Sequence, residues 1–156
     1  MVELLVLVVE DSVVHQRLLA HAFEAAGVPA RLEVYGDAER AWGVLDRMKH
    51  QSSADWPDFA LIDVGLPGAS GIELVDRIRQ SRHFDGWPVV VLTASEDPDD
   101  EREALLAQAT GYFMKPSTAS GYASLVRSIL AFLRRNPPVA ARAGLALRPK
   151  PSPPDE

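Results

Sequence analysis

The 156-residue chain contains no cysteine, which excludes a disulfide framework and a thiolate metal site. It also lacks an apolar run long enough to cross a membrane. The apolar N-terminal stretch MVELLVLVVED has no basic region before it and no small-residue cleavage site after it. This stretch therefore predicts a buried strand rather than a signal peptide, and we expect the protein to be cytoplasmic.

The chain also has fewer basic than acidic residues. The chain has 16 Lys and Arg against 22 Asp and Glu, and its formal net charge of -6 makes nucleic acid an unfavourable partner. The segment EDSVVHQ after the first apolar run contains no glycine, which argues against a nucleotide-binding doubly wound domain. The four histidines are scattered and form no ligand pair at helical spacing: His15, His21, His50 and His83.

What the chain does have is a strict alternation of apolar runs with helical patterns. Five runs predict strands, at 3–9, 30–35, 58–64, 87–94 and 111–114. Continuous apolar runs without polar alternation are typical of strands that are buried on both faces. Ser12, Asp37 and Ser70 are placed to cap the helices that follow the first three runs. The alternation predicts an α/β fold, an open parallel sheet with helices on both faces.

The composition changes after Arg135. The last segment, NPPVAARAGLALRPKPSPPDE, is rich in proline and alanine. Such a composition predicts a mostly disordered tail over 136–156 that follows one folded domain over 1–135. The sequence indicates neither a second domain nor an internal repeat.

Polar side chains follow the predicted strands at their carboxyl ends. Glu10 and Asp11 follow the first strand, Asp63 lies in the third, Thr93 lies near the end of the fourth, and Lys115 follows the fifth. Ligands of open parallel sheets bind outside the carboxyl ends of the strands, so we expect these side chains to meet. Each feature alone is a common turn or cap. Together, in this order, they indicate a functional site.

The chemistry of this set favours a phosphoryl group bound beside a cation. Three crowded carboxylates repel one another, and a hard divalent cation such as Mg²⁺ relieves that repulsion. Lys115 is suited to act as a point charge for an anion that arrives at the metal. Asp63 can then be a nucleophile that forms an aspartyl phosphate. Pro67 and the glycines around it would keep the loop after Asp63 tight and open to a phosphodonor.

The segments VLVVEDS, LIDVGLPGASGIEL, VVVLTAS and GYFMKPS together resemble the receiver domain of two-component response regulators. The resemblance covers residues 3–135. It implies a flavodoxin-like, CheY-like fold, in which a five-stranded parallel sheet has the order 2-1-3-4-5. It also implies a phosphoacceptor with self-phosphorylating and autodephosphorylating chemistry rather than a turnover enzyme.

The resemblance implies a role for each matching residue. Asp63 would accept a phosphoryl group from a sensor histidine kinase. Asp11 and Asp63 would bind Mg²⁺ directly, with Mn²⁺ as an alternative cation, while Glu10 would bind through water and Gly65 through its backbone carbonyl. Residues at the ends of the fourth and fifth strands would have further roles. The phosphate would be bound by Thr93, Ala94 and Lys115, and the conformational switch would consist of Thr93 and Tyr112. The peptide bond before Pro116 would be cis.

Several features resemble the small regulators that are paired with phytochrome-type histidine kinases, namely the long loop at 49–57, the segments HFDGWPVVVLTAS and YFMKPST, and the proline-containing extension. Such regulators dimerise through the fourth helix, fifth strand and last helix. We expect kinase docking near Val13 and Val14. The last predicted helix is apolar over more than one stripe, which indicates either a partner or cover by the tail: Tyr122, Leu125, Val126, Ile129, Phe132 and Leu133.

Two positions depart from the pattern, and two alternatives stay open. Gly65 lacks the side chain that many receivers place beside the phosphoryl group, and LLAQATGYF lacks the usual Gly-Ala before the fifth strand. A Mg²⁺-dependent phosphatase of the haloacid-dehalogenase type would need an Asp-x-Asp loop after the first strand, where this chain has Glu10 and Asp11. A phosphorylation-independent pseudo-receiver scaffold is the second alternative, although the full set of acids, Thr93 and Lys115 counts against it.

Overall fold

A computed structural model describes residues 3–135, so the tail predicted at 136–156 lies outside the described residues. Strands and helices alternate along this part of the chain: β1 (Leu4–Val9), α1 (Val13–Ala25), β2 (Ala30–Tyr35), α2 (Ala38–Met48), β3 (Phe59–Asp63), α3 (Gly71–Gln80), β4 (Val89–Thr93), α4 (Pro98–Leu106), β5 (Gly111–Met114) and α5 (Ala119–Arg134). Short 3-10 turns at Ser53–Asp55 and Arg82–Phe84 precede β3 and β4. The α-helices between residues 3 and 135 are too short or too polar to span a lipid bilayer.

The five strands form one parallel sheet in the order β2-β1-β3-β4-β5, which confirms the predicted fold. The register pairs Val9 with Ile62, and Asp63 with Leu92. It also pairs Thr93 with Met114 on β5. The strands therefore end close to one level, and the residues that follow them lie at one edge of the sheet.

Two apolar layers hold the sheet between the helices. Leu7 and Ile62 face a cluster that includes side chains of α2, α3 and α4. Val8 and Leu61 face the opposite cluster, which includes α1 and α5. All residues of β3 and β4 are buried, because the central strands have a helical layer on each side. This explains why those two strands read as continuous apolar runs.

The predicted caps are confirmed, and each starts its helix close to the end of a strand. Ser12 accepts a hydrogen bond from the backbone N–H of His15, and Asp37 accepts one from Arg40. Ser70 forms a reciprocal capping box with Glu73 at the start of α3. The caps fix the turns between the strands and the helices, and these turns carry part of the predicted site.

The apolar stripe of α5 is covered by the fold itself. Tyr122, Val126 and Ile129 are buried in the cluster that also holds residues of α1 and the sheet. Phe132 is partly buried and meets Phe113 edge to face, with ring centroids 5.6 Å apart. The width of this stripe therefore does not indicate a partner or cover by the tail, because α1 and the strands already occupy it.

Arg79 of α3 ties together the connections that precede β4 and β5. Its guanidinium donates hydrogen bonds to the carbonyl oxygens of Gln108, Phe84 and Trp87 at 2.9, 2.9 and 2.8 Å. It also donates to the Thr110 hydroxyl at 3.2 Å. Burial lowers the pKa of Arg79, yet five donors in a rigid fork remain available to the carbonyls. This single side chain therefore satisfies backbone groups from two separate loops.

Replacing Arg79 with alanine is expected to lower the free energy of unfolding by about 3 kcal/mol, because several carbonyl groups lose a charged donor. Urea unfolding monitored by circular dichroism measures the change. Arg77→Ala on the same helix is the matched control, since Arg77 is exposed and meets Glu39 at 3.4 Å and the ring centroid of Trp42 at 4.4 Å. That control should cost less than about 1 kcal/mol, and equal losses in both variants would contradict this role for Arg79.

Candidate functional site

A cavity of about 420 Å³ opens at the carboxyl ends of β1, β3, β4 and β5. Most of the site residues predicted from the sequence line it: Glu10, Asp11, Asp63, Gly65, Thr93, Ala94 and Lys115. The other side chains of the lining come from the loops and helix starts nearby: Ser12, His15, Val64, Ser95 and Asp100. Tyr112 and Pro116 are not part of this lining.

The three acids converge as predicted. Glu10, Asp11 and Asp63 each offer a carboxylate oxygen, and these oxygens lie within 4.8 Å of one another. Glu10 is 2% exposed and Asp63 is 8% exposed, whereas Asp11 faces solvent. Burial raises the pKa of Glu10 and the charge of Asp63 adds to the effect, while the hydrogen bond from Lys115 opposes it. An all-oxygen cluster with one open side fits a hydrated hard cation.

Lys115 supplies the positive charge of the site. Its Nζ lies 3.2 Å from Asp63 Oδ2 and donates a shorter hydrogen bond to Glu10 Oε1. Burial alone would lower the pKa of Lys115, but the hydrogen bond to Glu10 and the charges of Asp63 and Glu10 outweigh it and raise the pKa. Because one ammonium faces three carboxylates, the cluster keeps surplus negative charge that a cation can neutralise.

The loop after Asp63 folds back tightly on its own strand. The N–H groups of Leu66 and Gly71 both donate to the carbonyl oxygen of Val64, at 3.0 and 3.1 Å. A side chain at Gly65 would start 3.9 Å from Asp63 Oδ2, so the glycine leaves the space before the carboxylate free. Gly68 has a φ of +74°, which a residue with a side chain would rarely adopt. The Pro/Gly loop therefore keeps access to Asp63 open.

Thr93 and Tyr112 lie on neighbouring strands at this edge. Thr93 is 2% exposed, and its hydroxyl accepts a hydrogen bond from the backbone N–H of Ser95 at 2.9 Å. Tyr112 is half-buried and packs against the cluster beneath α2, α3 and α4. Burial raises the pKa of Tyr112, and the nearby Thr93 hydroxyl opposes that rise. The two predicted switch residues are thus neighbours, although Tyr112 does not reach into the cavity.

The prediction of a cis peptide bond before Pro116 is wrong, since no peptide bond between residues 3 and 135 is cis. A bond that precedes proline still prefers trans by about 0.5–1 kcal/mol. The trans chain already delivers the Lys115 ammonium to Asp63, so the site needs no cis bond for this contact. The Pro116 ring packs closely on Gly121, where an added Cβ would lie 2.5 Å from the proline Cβ.

Sequence reasoning missed His15. Its Nδ1 lies 3.0 Å from Glu10 Oε1 and 3.0 Å from Lys115 Nζ. Gln16, the next residue, donates from its amide to the backbone carbonyl of Glu10 at 2.7 Å. The available signal was position: both residues lie in the first turn of a helix whose Ser12 cap directly follows the acidic pair. Side chains of that turn can reach back to the end of the strand.

The fold and the site together identify the class. The chain matches the response regulator receiver domain over residues 6–127, and it belongs to that family. It is 31% identical over 150 residues to the phosphate regulon transcriptional regulatory protein PhoB of Escherichia coli. This match covers 92% of the chain but 60% of PhoB. The chain therefore spans less than two thirds of that relative.

Two solved structures resemble the fold closely. The phosphorylated cyanobacterial phytochrome response regulator RcpA is similar with a TM-score of 0.74 and 27% identity, over 84% of this chain and 94% of RcpA. The Mn²⁺-bound form of response regulator Rcp1, a Synechocystis protein, has a TM-score of 0.71 and 26% identity. That match covers 85% of this chain and 95% of Rcp1. The resemblance to phytochrome-associated regulators that the sequence indicated is confirmed.

Proposed function

We propose that this receiver accepts a phosphoryl group on Asp63 from a sensor histidine kinase, in a Mg²⁺-dependent phosphorelay. One arrangement carries the proposal: the Asp63 carboxylate is part of an acidic cluster that fits a cation, and the Lys115 ammonium lies 3.2 Å from its Oδ2. A nucleophilic carboxylate needs its own charge and the charge of the incoming phosphoryl oxygens to be offset at once. A cation held by the cluster and the Lys115 ammonium would together meet that need.

The chemistry is an attack by an Asp63 oxygen on the phosphorus of a phosphohistidine. The new O–P bond forms as the P–N bond breaks, and the imidazole of the donor leaves with a proton. Asp11, Asp63, the Gly65 carbonyl and, through water, Glu10 would hold Mg²⁺ or Mn²⁺, and the cation would supply counter-charge to the phosphoryl oxygens. Lys115 would bind a second phosphoryl oxygen, with help from the Thr93 hydroxyl and backbone groups at Ala94.

The signal would be read through Thr93 and Tyr112. Phosphorylation adds about -1.5 to -2 units of charge and three strong acceptors. The Thr93 hydroxyl would then turn to donate to a phosphoryl oxygen, and Tyr112 would turn inward to fill the space beside it. Phosphorylation would thus bias an equilibrium between two packings of the same edge, and the protein would signal by binding rather than by turnover.

Two groups of exposed apolar residues suggest where a kinase and a second copy of this chain would bind. Val13 and Val14, at the start of α1 beside the cavity, are 55% and 64% exposed, which supports docking of a kinase there. Leu105, Leu106 and Met114 on α4 and β5 are 57%, 75% and 46% exposed, which supports a homodimer through the α4, β5 and α5 face. The similarity to RcpA favours a phytochrome-type kinase in the cytoplasm, and the acidic chain suggests neither a nucleic-acid nor a membrane partner.

Incubation with acetyl phosphate and Mg²⁺, followed by intact-mass measurement, tests the proposed function. We expect one added phosphoryl group, and no addition when EDTA removes the cation, because uncompensated carboxylates repel the donor. Absence of label with the cation present would overturn the proposal and favour the pseudo-receiver scaffold. Continuous turnover of p-nitrophenyl phosphate would instead favour the phosphatase alternative.

Light scattering coupled to size-exclusion chromatography tests the dimer. Phosphorylated wild type is expected to run as a dimer, and Leu106→Glu as a phosphorylated monomer, because a charge in the interface core is costly to desolvate. Val14→Glu is the matched control, another exposed apolar residue but on α1. It should dimerise normally. A Leu106→Glu protein that dimerises like wild type would exclude this face.

A further inference from the structure

His15 occupies the junction between the acid cluster and the ammonium. Its Nδ1 lies 3.0 Å from both Glu10 Oε1 and Lys115 Nζ, and its side chain is 37% exposed at the cavity that holds Asp63. We propose that His15 is a positioning residue for phosphoryl transfer. Its Nδ1 accepts a hydrogen bond from Lys115 and holds the ammonium beside Asp63 when Glu10 turns from Lys115 to the cation. The inference rests on the proposed function.

The count of donors supports this role. A lysine ammonium has three N–H donors and no acceptor, so every contact that Lys115 makes must be to an acceptor. Glu10 Oε1, Asp63 Oδ2 and His15 Nδ1 are those acceptors, and all three lie within hydrogen-bond reach. An imidazole nitrogen carries either a proton or a lone pair. His15 Nδ1 can therefore donate to Glu10 or accept from Lys115, but it cannot do both at once.

Binding of the cation and the phosphoryl group would shift His15 Nδ1 from its contact with Glu10 to its contact with Lys115. In the proposed reaction Glu10 would help to hold the cation through water, and Asp63 would bind the cation and carry the phosphoryl group. Lys115 would then lose the Glu10 acceptor as its ammonium turns to the arriving phosphoryl oxygen, and its flexible four-carbon stem alone does not fix that direction. Nδ1 is already 3.0 Å from Nζ, so the ring can take over without moving.

The ring is well supported for such a role. The backbone N–H of His15 donates to the Ser12 hydroxyl at 3.2 Å, and the Ser12 N–H donates to Glu10 Oε2 at 3.3 Å. The ring of Tyr122, a buried residue of α5, lies behind it with a centroid separation of 6.3 Å. Groups held on helices by packing and hydrogen bonds position ligands more closely than groups on loops.

Three substitutions separate positioning from simple packing. Asparagine can place an amide oxygen near the position of Nδ1, whereas glutamine extends past it and alanine removes the acceptor. We expect His15→Ala and His15→Gln to lower the initial rate of labelling by acetyl phosphate about tenfold, the scale of one hydrogen bond to a charged group. His15→Asn should label at close to the wild-type rate. Thermal unfolding should stay the same, and Mg²⁺ affinity, measured by calorimetry, should change less than the labelling rate, because His15 would act on the cation only through Glu10.

The tautomer gives a second, independent readout. Imidazole ¹⁵N chemical shifts of wild type with Mg²⁺ and beryllofluoride, a phosphoryl mimic, should show the proton on Nε2 and a bare, hydrogen-bonded Nδ1. Equal labelling of His15→Ala and wild type, or a proton on Nδ1 in the beryllofluoride state, would overturn the inference while the proposed function stands. A wild type that takes no label would instead overturn the proposed function, and this inference with it.

Discussion

Asp63→Asn is expected to abolish stable labelling by acetyl phosphate and Mg²⁺, because the amide has no charged oxygen with which to attack phosphorus. Intact-mass measurement after an acid quench detects the missing phosphoryl group. The substitution keeps the volume of the side chain, and Lys115 retains its hydrogen bond to Glu10, so the fold should survive. Thermal unfolding checks that it does.

Asp76→Asn is the matched control for this variant. Asp76 is an exposed aspartate on α3 whose carboxylate accepts a hydrogen bond from Gln80 at 3.0 Å, well away from the cavity lining. It should label like wild type, since it removes the same charge without touching the site. If Asp63→Asn took up the label at the wild-type rate, the assignment of the phosphoacceptor would have to be discarded.

Gly71→Ala is expected to give the second large effect, a loss of about 3 kcal/mol in the free energy of unfolding together with slow labelling of Asp63. A Cβ at Gly71 would lie 2.0 Å from the backbone oxygen of Asp63 and 2.7 Å from its carbonyl carbon. Backbone atoms of a buried central strand cannot move aside, so the start of α3 would have to lift away from the strand end. The loop that keeps access to the carboxylate would shift with it.

Urea unfolding and the rate of labelling measure the two consequences of this change. Gly43→Ala is the control, because Gly43 lies inside α2 and an added Cβ meets nothing within 4 Å. Alanine at that position should stabilise the protein by up to about 1 kcal/mol, since it lowers the backbone entropy of the unfolded chain. A Gly71→Ala protein as stable as wild type would show that α3 does not need this close approach.

The fold could be predicted because its signals are local and agree with one another. Buried strands read as continuous apolar runs, and capping residues such as Ser12 and Ser70 follow the strands at short range. The ends of the strands then bring Glu10, Asp63 and Lys115 together through topology alone. The structure moved the predicted boundaries by a residue or two, where strand ends give way to turns.

The features that sequence reasoning missed depend on contacts between distant segments. Arg79 reads as an exposed arginine on an amphipathic helix, yet it binds a carbonyl 29 residues further along the chain. His15 reads as an ordinary helix residue until Lys115, 100 positions away, comes within 3.0 Å. The apolar stripe of α5 looked wide because α1 covers its flank. Such pairings are decided by side-chain direction and packing, which periodicity does not encode.

The direction of the strands has a further electrical consequence. Because each helix begins soon after a strand ends, α1, α3, α4 and α5 all start at the edge that carries Asp63. A helix start behaves like roughly half a positive elementary charge, while the far end is correspondingly negative. The helical layers are therefore polarised from one rim of the sheet to the other before any ion or side chain is considered. An identical carboxylate grafted onto the opposite rim would face repulsion from the backbone itself.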